Sequence, residues 1–475
     1  MAAETQKAKL VVIGAGPGGY VACVRAAQLG MKVACIDKGP RLGGVCLNVG
    51  CIPSKALLDS SEYYQLVMKH MAEHGIRAQS VELDLAVLMA RKEQVVEELT
   101  GNIQRLLESN RVEIFQGAAR LASPEQVAVK RAEPQSGADE TLLRGKAILL
   151  ATGSEPVAPP GLAFDGHRVV SSTEALAFTS VPEHLAVVGG GYIGLELGSI
   201  WGRLGARVTI IEMLPRLAAT LDGQVARTLE RILTKQGLEF RLETRVTGTH
   251  IDADGVELTL ETADQTDTIR CDRVLVAVGR RPLTRGLGLE ELDIFVDPRT
   301  GQIGVDEQYR TNVPTVYAIG DLVAGPMLAH KASAEGIAAV ECLARLPGEV
   351  NYDAIPAVVY TSPEAAAVGL TEEQARERTI DYCVGTYPFT GSGRARCMGQ
   401  TDGFVKLIAH RRSDRLLGAH ILGPRAADMI GECALALEFG ASSEDIARTV
   451  HGHPTFAEAL QEAALAVKRC SIYAS

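Results

Sequence analysis

Apolar residues in this chain come in short unbroken runs that end in glycine. Leu10 to Ile13 is one such run; GAGPGG follows, then a helical pattern from Tyr20 to Leu29 that stops at Gly30, then KVACID, Lys32 to Asp37. Short continuous apolar runs alternating with helical patterns predict parallel strands buried on both faces. The same order recurs about 175 residues later: Leu185 to Val188, GGGYIG, a helix from Leu195 to Leu204 ending at Gly205, then RVTIIE, Arg207 to Glu212. That period is far too long for a solenoid and predicts two whole domains of similar architecture. Between them the pattern predicts a helical region, Leu57 to Leu107, a polar surface hairpin, Arg131 to Glu140, and a Pro-rich linker, Glu155 to Gly161. AILLATGS, Ala147 to Ser154, and VLVAVGRRP, Val274 to Pro282, read as buried strands running into turns. From about Asn351 the texture changes: strand patterns such as FVKLIAH precede the helices IGECALALEF and FAEALQEAALAV. The fold class is α/β, with two Rossmann-like dinucleotide-binding domains and a separate C-terminal α+β domain.

Composition narrows the partners. The 475 residues are 46% hydrophobic and 22% charged, values of an ordinary globular chain of several domains. A net charge of −10 and an aromatic content of 4% argue against nucleic acid and against an anionic membrane surface. No apolar run approaches the roughly 18 residues of a spanning helix. The opening MAAETQKAK is too short and polar for a secretory signal, and a mitochondrial transit pattern is missing. Ten cysteines are far too few for a disulfide scaffold, so a reducing compartment is expected. Together these favour a cytoplasmic protein, bacterial rather than a processed organellar form.

The chemistry begins at the glycines. Gly14, Gly16 and Gly19 form GxGxxG between a strand and a helix. One glycine permits the tight turn, one lets backbone approach a pyrophosphate, and one lets helix and strand pack closely. The helix N-terminus then offers N–H groups and a positive dipole end to phosphate. Asp37 closes the next strand, where a carboxylate can hold a ribose diol. Gly189, Gly191 and Gly194 repeat the pattern, with Glu212 in the acidic position. A carboxylate there accepts from a free 2′-hydroxyl and repels a 2′-phosphate, which favours NAD over NADP; Arg216, four residues on, is the feature that could relax this. Two complete motifs imply two nucleotides, a flavin and a nicotinamide.

Cys46 and Cys51 lie in GGVCLNVGCIPSKALL, just before a helical pattern. They could be packed thiols, a metal half-site, a structural staple or a redox pair. A metal site lacks a second cluster of suitable spacing, and no metal is expected. A staple across so short a loop contributes only about 2 kcal/mol, which a chain this long hardly needs. A dithiol that opens and closes in turnover fits better, with a helix N-terminus lowering thiol pKa. Cys23, Cys35, Cys271, Cys342, Cys383, Cys397, Cys433 and Cys470 stand singly and read as packed or surface thiols. His70 and His74 have helical metal spacing with nothing nearby to support a site, so they read as a solvated face. In HGHPTFAE, His453 precedes Pro454, and Glu458 falls in the first turn of the next helix. The pair is either a histidine that found a polar partner or a proton-transfer couple, in which the carboxylate fixes the tautomer.

GGVCLNVGCIPSK, GGGYIGLELG, YAIGD and HGHPT together resemble the pyridine nucleotide–disulfide oxidoreductases, from about Lys9 to about Val467. The resemblance implies FAD along Gly14 to Gly19, with Asp37 on its ribose where the family usually has the longer Glu. It implies backbone contacts to FAD at Gly117 and Ala329, FAD binding at Thr152 and Gly153, and Asp321 on the ribityl–phosphate region. Lys55 would sit near the flavin, paired with Glu196, and Gly279 would lie at the NAD site. Cys46 and Cys51 would form the redox disulfide, with Cys51 facing the flavin and Cys46 exchanging with substrate. His453 and Glu458 would be the acid/base pair, reaching in from the second subunit of an obligate homodimer; Gly452 replaces the usual alanine of HAHPT. The implied order is an FAD-binding domain over residues 1–153 and 282–350, an NAD-binding domain over 154–281, and an interface domain over 351–475. The implied reaction is NAD⁺-dependent oxidation of protein-bound dihydrolipoamide to lipoamide. Its partners would be the lipoyl domains of the E2 component of 2-oxo acid dehydrogenases or of the glycine-cleavage H-protein. A glutathione-reductase-like member is the alternative, but Glu212 disfavours NADPH. A mercuric-reductase-like member should carry a C-terminal Cys pair, whereas Cys470 stands alone. A flavoprotein redox sensor or structural subunit is the alternative outside catalysis.

Overall fold

The computed structural model describes residues 6–131 and 140–473; the hairpin expected over Arg131 to Glu140 lies almost wholly outside them. The chain forms two compact units, one of Met1–Ala56, Val87–Val157 and Arg280–Val350, the other of Leu57–Ala86, Ala158–Gly279 and Asn351–Ser475.

The first unit is built on a seven-stranded sheet. Glu113–Gln116, Val33–Asp37, Gln6–Ile13, Glu140–Leu150 and Val316–Ala318 run parallel. Gln126–Lys130 and Ala118–Ser123 add an antiparallel edge. The unbroken run Leu10 to Ile13 follows from two-sided burial. Leu10 and Val12 face one core with Cys35 and Leu149, while Val11 and Ile13 face another with Ile36 and Ile148. Ser154–Pro156 and Arg280–Pro282 pair antiparallel within this unit, so the Pro-rich segment begins as a strand.

The second unit holds a five-stranded parallel sheet in the order Glu239–Arg241, Arg207–Ile211, His184–Val188, Arg273–Val276, Val169–Val170. An antiparallel meander of Arg245–Asp252, Gly255–Glu261 and Thr266–Cys271 packs Val256, Leu258 and Leu260 against it. The C-terminal residues form a separate five-stranded antiparallel sheet. Its strand Phe404–His410 points Val405, Leu407 and Ala409 at the helices Ala426–Glu438 and Glu458–Val467. Lys406, on the opposite face, is buried and meets Asp222 at 2.9 Å and Glu372 at 2.7 Å. That triad joins the C-terminal sheet to the second dinucleotide domain in one unit. The stretch 57–86, inside the first domain by sequence, belongs here too: Arg203 Nη1 donates to Leu58 O and Ser362 Oγ to Glu62. Among the described residues no helix is long and apolar enough to cross a membrane.

Candidate active site and coenzyme sites

The first Gly-rich turn is made by steric exclusion. Gly14 has φ +104°, and a Cβ there would press on the Ala151 carbonyl; one on Gly19 would strike the carbonyl of Gly14. Gly16 caps the helix Pro17–Gln28, whose proline at the start needs no N–H partner. A second helix, Ala329–Leu343, lies alongside in the same direction: Ser333 Oγ donates to Pro17 O at 3.3 Å, and Arg25 meets Glu341 at 2.6 Å. Gly18 and Gly336 allow that close approach, since a Cβ on Gly336 would lie 2.5 Å from Gly18 O. Two positive helix ends therefore converge beside Gly16. Gly44, at φ +61°, closes the cradle, its missing Cβ falling 2.7 Å from Gly16 Cα. Glycine walls at two helix N-termini fit the pyrophosphate of FAD.

Asp37 sits beside the cradle and accepts from Ala15 N at 2.6 Å and Gly39 N at 2.8 Å. Gly117 donates its N–H to Asp37 O at 2.8 Å, at φ +155°. Thr152 Oγ1 donates to Leu283 O at 2.8 Å, and Gly153 adopts φ +74° facing open space. Asp321 accepts from Ser154 Oγ. Two features here escape the sequence. Arg280 donates to Ser154 Oγ at 2.8 Å and Ser154 O at 2.6 Å; burial pulls its pKa down against the charges of Asp321, Cys51 and Glu155. Lys331 and Glu335, wholly buried and 3.1 Å apart, grip the peptide before Asp321: Lys331 Nζ donates to Gly320 O, and Glu335 accepts from Gly320 N. The Lys–Glu spacing of four in this helix was the available signal.

Cys46 lies in the helix Gly44–Val49 and Cys51 opens the helix Cys51–Lys69, with Gly50 (φ −140°, ψ −115°) breaking the two apart. The break folds one thiol onto the other. Neither is in a disulfide here, and their side chains are hydrogen-bonded. The Cys46 thiol is pushed far up, by the Cys51 sulfur, then by burial, with Lys55 opposing. The helix N-terminus that can lower a thiol pKa lies at Cys51, whereas Cys46 answers to the second sulfur and to burial. Cys23 and Cys35, read as single thiols, also meet; burial first, and then this contact, raises the Cys23 thiol. His70 and His74 are exposed and lie beyond the end of the Cys51–Lys69 helix, so they share no α-helical face.

The second Gly-rich turn repeats the first. Gly189 has φ +110° against the Ala277 carbonyl, Gly194 packs on Gly189 O, and Gly191 has nothing within 4 Å of its missing Cβ. Gly191 caps the helix Tyr192–Arg203. Glu212 accepts from Gly190 N at 2.7 Å and Leu214 N at 2.8 Å. Gly279 adopts φ +130° in open space. Glu196, expected opposite Lys55, is buried and accepts from Tyr360 N at 3.0 Å; the two residues belong to different units. Arg216 donates to Ala219 O at 2.8 Å.

His453 Nδ1 lies 2.7 Å from Glu458 Oε1, and Glu458 Oε2 accepts from Thr455 N at 2.7 Å. Burial pulls the Glu458 carboxyl up, but these bonds outweigh it and hold it below the usual range. The His453 side chain is 80% exposed. Beside it, His451 is buried against Glu432 at 2.9 Å.

Two dinucleotide turns and a dithiol beside one of them define a dithiol oxidoreductase of the flavin- and nicotinamide-linked class. Residues 8–336 match the model of the pyridine nucleotide-disulphide oxidoreductases and residues 355–464 that of their dimerisation domain, and the chain belongs to this family. It is 47% identical over 460 residues to the mitochondrial dihydrolipoyl dehydrogenase of Pisum sativum, covering 96% of this chain and 91% of the relative. A leghemoglobin reductase of Vigna unguiculata is 48% identical over 460 residues, covering 96% and 87%. Among solved structures, LpdA of Mycobacterium tuberculosis shares the fold (TM-score 0.88, 24% identity, 97% and 99% covered). The HOCl-induced flavoprotein disulfide reductase RclA of Escherichia coli is similar at TM-score 0.84 and 28% identity, with 97% and 99% covered.

Proposed function

We propose that the protein oxidises protein-bound dihydrolipoyl groups to the cyclic disulfide and reduces NAD⁺ to NADH. The observation that carries this is the Cys46–Cys51 thiol contact in the same unit as the two-helix phosphate cradle. FAD would be held by the Gly14–Gly19 turn, Asp37, Gly117, Thr152, Gly153, Asp321 and Ala329, and when bound it supplies the step from dithiol electrons to hydride for NAD⁺. Gly189, Gly191, Gly194, Glu212 and Gly279 are assigned to NAD, and Lys55 to the flavin edge.

The remaining steps belong to side chains. Glu458 fixes the Nδ1–H tautomer of His453, leaving Nε2 to take a proton from the first substrate thiol. The substrate thiolate attacks Cys46 of the Cys46–Cys51 disulfide; that S–S bond breaks and Cys51 leaves as thiolate. The positive charge of Arg280 favours the anion there. The second substrate thiol attacks its own mixed disulfide, Cys46 leaves with the electron pair and takes the proton of that second thiol, and the first proton stays on His453. Lipoyl domains of E2 or of H-protein are the partners this substrate requires, and a cytoplasmic setting keeps the other thiols reduced. A homodimer fits the matched dimerisation domain and the exposed Leu435, Phe439 and Val450 within it.

The test is one preparation assayed with dihydrolipoamide and NAD⁺, and with NADPH and glutathione disulfide. NADH formation in the first and no turnover in the second is expected. Cys51→Ser should keep flavin and lose dithiol turnover; full activity in that variant refutes the mechanism.

A further inference from the structure

The residue that could undo the preference for NAD follows the residue assigned to set it by four positions. Glu212 is bonded to Gly190 N, and the chain after it folds back onto the same glycine. Ala218 N donates to Gly190 O at 2.9 Å, and a Cβ on Gly190 would lie 2.7 Å from Leu217 Cδ2. Arg216 lies on this returning loop, four residues after the carboxylate assigned to the ribose; an arginine in such a position serves a 2′-phosphate. Its guanidinium is otherwise engaged. Nη2 donates to Ala219 O at 2.8 Å, and Nη1 faces Glu373 Oε1 at 3.9 Å. Glu373 comes from the C-terminal domain. Its Oε1 accepts from Gly223 N at 3.1 Å, and its buried Oε2 has no hydrogen-bond partner among the described residues. A carboxylate so placed needs a cation nearby. The neighbouring contacts hold the pair in place: Asp222 caps the helix Gly223–Lys235 at Gln224 N, accepts from Glu372 N at 3.2 Å, and is bound by buried Lys406. Arg227 Nη1 approaches Gly223 from the same side.

We propose that Glu373 is a positioning residue for coenzyme choice: it holds the Arg216 guanidinium off the adenosine ribose pocket headed by Glu212 and so keeps this site selective for a free 2′-hydroxyl. Selectivity at the second dinucleotide turn is then shared with a residue of the C-terminal domain. The inference rests on the NAD assignment of that turn.

The test is anaerobic reduction of the flavin in the full-length holoenzyme by NADPH and by NADH, followed by absorbance. Glu373→Gln keeps an oxygen for Gly223 N and removes the charge. The NADPH-to-NADH rate ratio should rise about fivefold, the scale of a part-exposed ion pair. Adding Arg216→Ala should cancel the gain. An unchanged ratio in E373Q, or a gain that survives in E373Q/R216A, overturns the proposal. If E373Q does not fold, R216A alone decides: a ratio unmoved supports the withdrawn arginine, and a severalfold fall in NADPH use overturns it. Failure of NADH to reduce the unsubstituted holoenzyme would instead overturn the NAD assignment, and the inference with it.

Discussion

At the first Gly-rich turn Gly14 has φ +104°, and at the second Gly189 has φ +110°. In each, the carboxylate ending the next strand accepts from the peptide after the first glycine and from the peptide two residues beyond itself: Asp37 from Ala15 and Gly39, Glu212 from Gly190 and Leu214. The backbone device is the same, but the covering differs. Over the first lie Gly44, leading directly to Cys46, and a second helix N-terminus. Over the second lies the loop after Glu212, where Tyr192 meets Thr220 at 3.0 Å and Arg216 meets Glu373. The first turn is walled with glycine and sulfur and the second with a charged loop. On the proposed assignment, one fold unit serves two coenzymes because different chain segments cross it.

The largest effect should come from adding bulk at the third glycine of each turn. Gly19→Val should abolish flavin binding and all activity, whereas Gly194→Val should keep the flavin and slow its reduction by NADH at least ~100-fold. Absorbance of the purified variants and stopped-flow reduction read these out; loss of flavin in both would break the division of labour.

Next are the buried ion pairs bracing each unit. Removing one partner costs about 3–5 kcal/mol. Lys331→Met should weaken flavin retention together with thermal stability. Lys406→Met should lower the melting temperature while leaving flavin binding intact. Lys331→Met/Glu335→Leu should recover more stability than either single change, as measured by thermal unfolding with flavin fluorescence.

The ribose carboxylates should show smaller effects. Asp37→Asn should weaken FAD reconstitution and Glu212→Gln should raise the KM for NAD⁺, each about 10-fold or more, the scale of a charge-assisted bond. A change in NAD⁺ KM from Asp37→Asn alone would contradict the assignment.

The smallest effect is acid sensitivity of the second unit. Burial pulls Asp222 up, but Lys406 and its other partners hold its pKa below the usual value. A depressed native pKa contributes stability that is complete above the unfolded value of about 3.9 and lost as pH falls through the native one. The natural chain should therefore lose more melting temperature than Lys406→Met below about pH 4. Parallel curves for the two would remove Asp222 from that role.

Much of this was legible because it is local. The helix expected from Tyr20 begins at Pro17 and that expected from Leu195 begins at Tyr192, since N-terminal glycines and a proline are tolerated in a first turn. FVKLIAH is the strand Phe404–His410, yet nothing in that string explains a buried lysine; its partners are 184 and 34 residues away. The Cys46–Cys51 spacing pointed to a pair, but the raised proton affinity of Cys46 depends on how Gly50 bends the chain. Cys23 and Cys35 read as separate thiols because a helix and a strand bring them together.

The amino-acid order alone determined the two glycine turns, their acidic partners, the paired sulfurs and the His–Glu couple, because each rests on residues close in the chain, where spacing dictates geometry. Tertiary structure alone decided that Arg280 steadies Ser154 and Asp321, that Lys331 and Glu335 clamp Gly320, and that Glu373 takes up Arg216. Most of those charges meet across long stretches of chain, and a charge has no periodicity that announces a distant partner; only packing brings the two together.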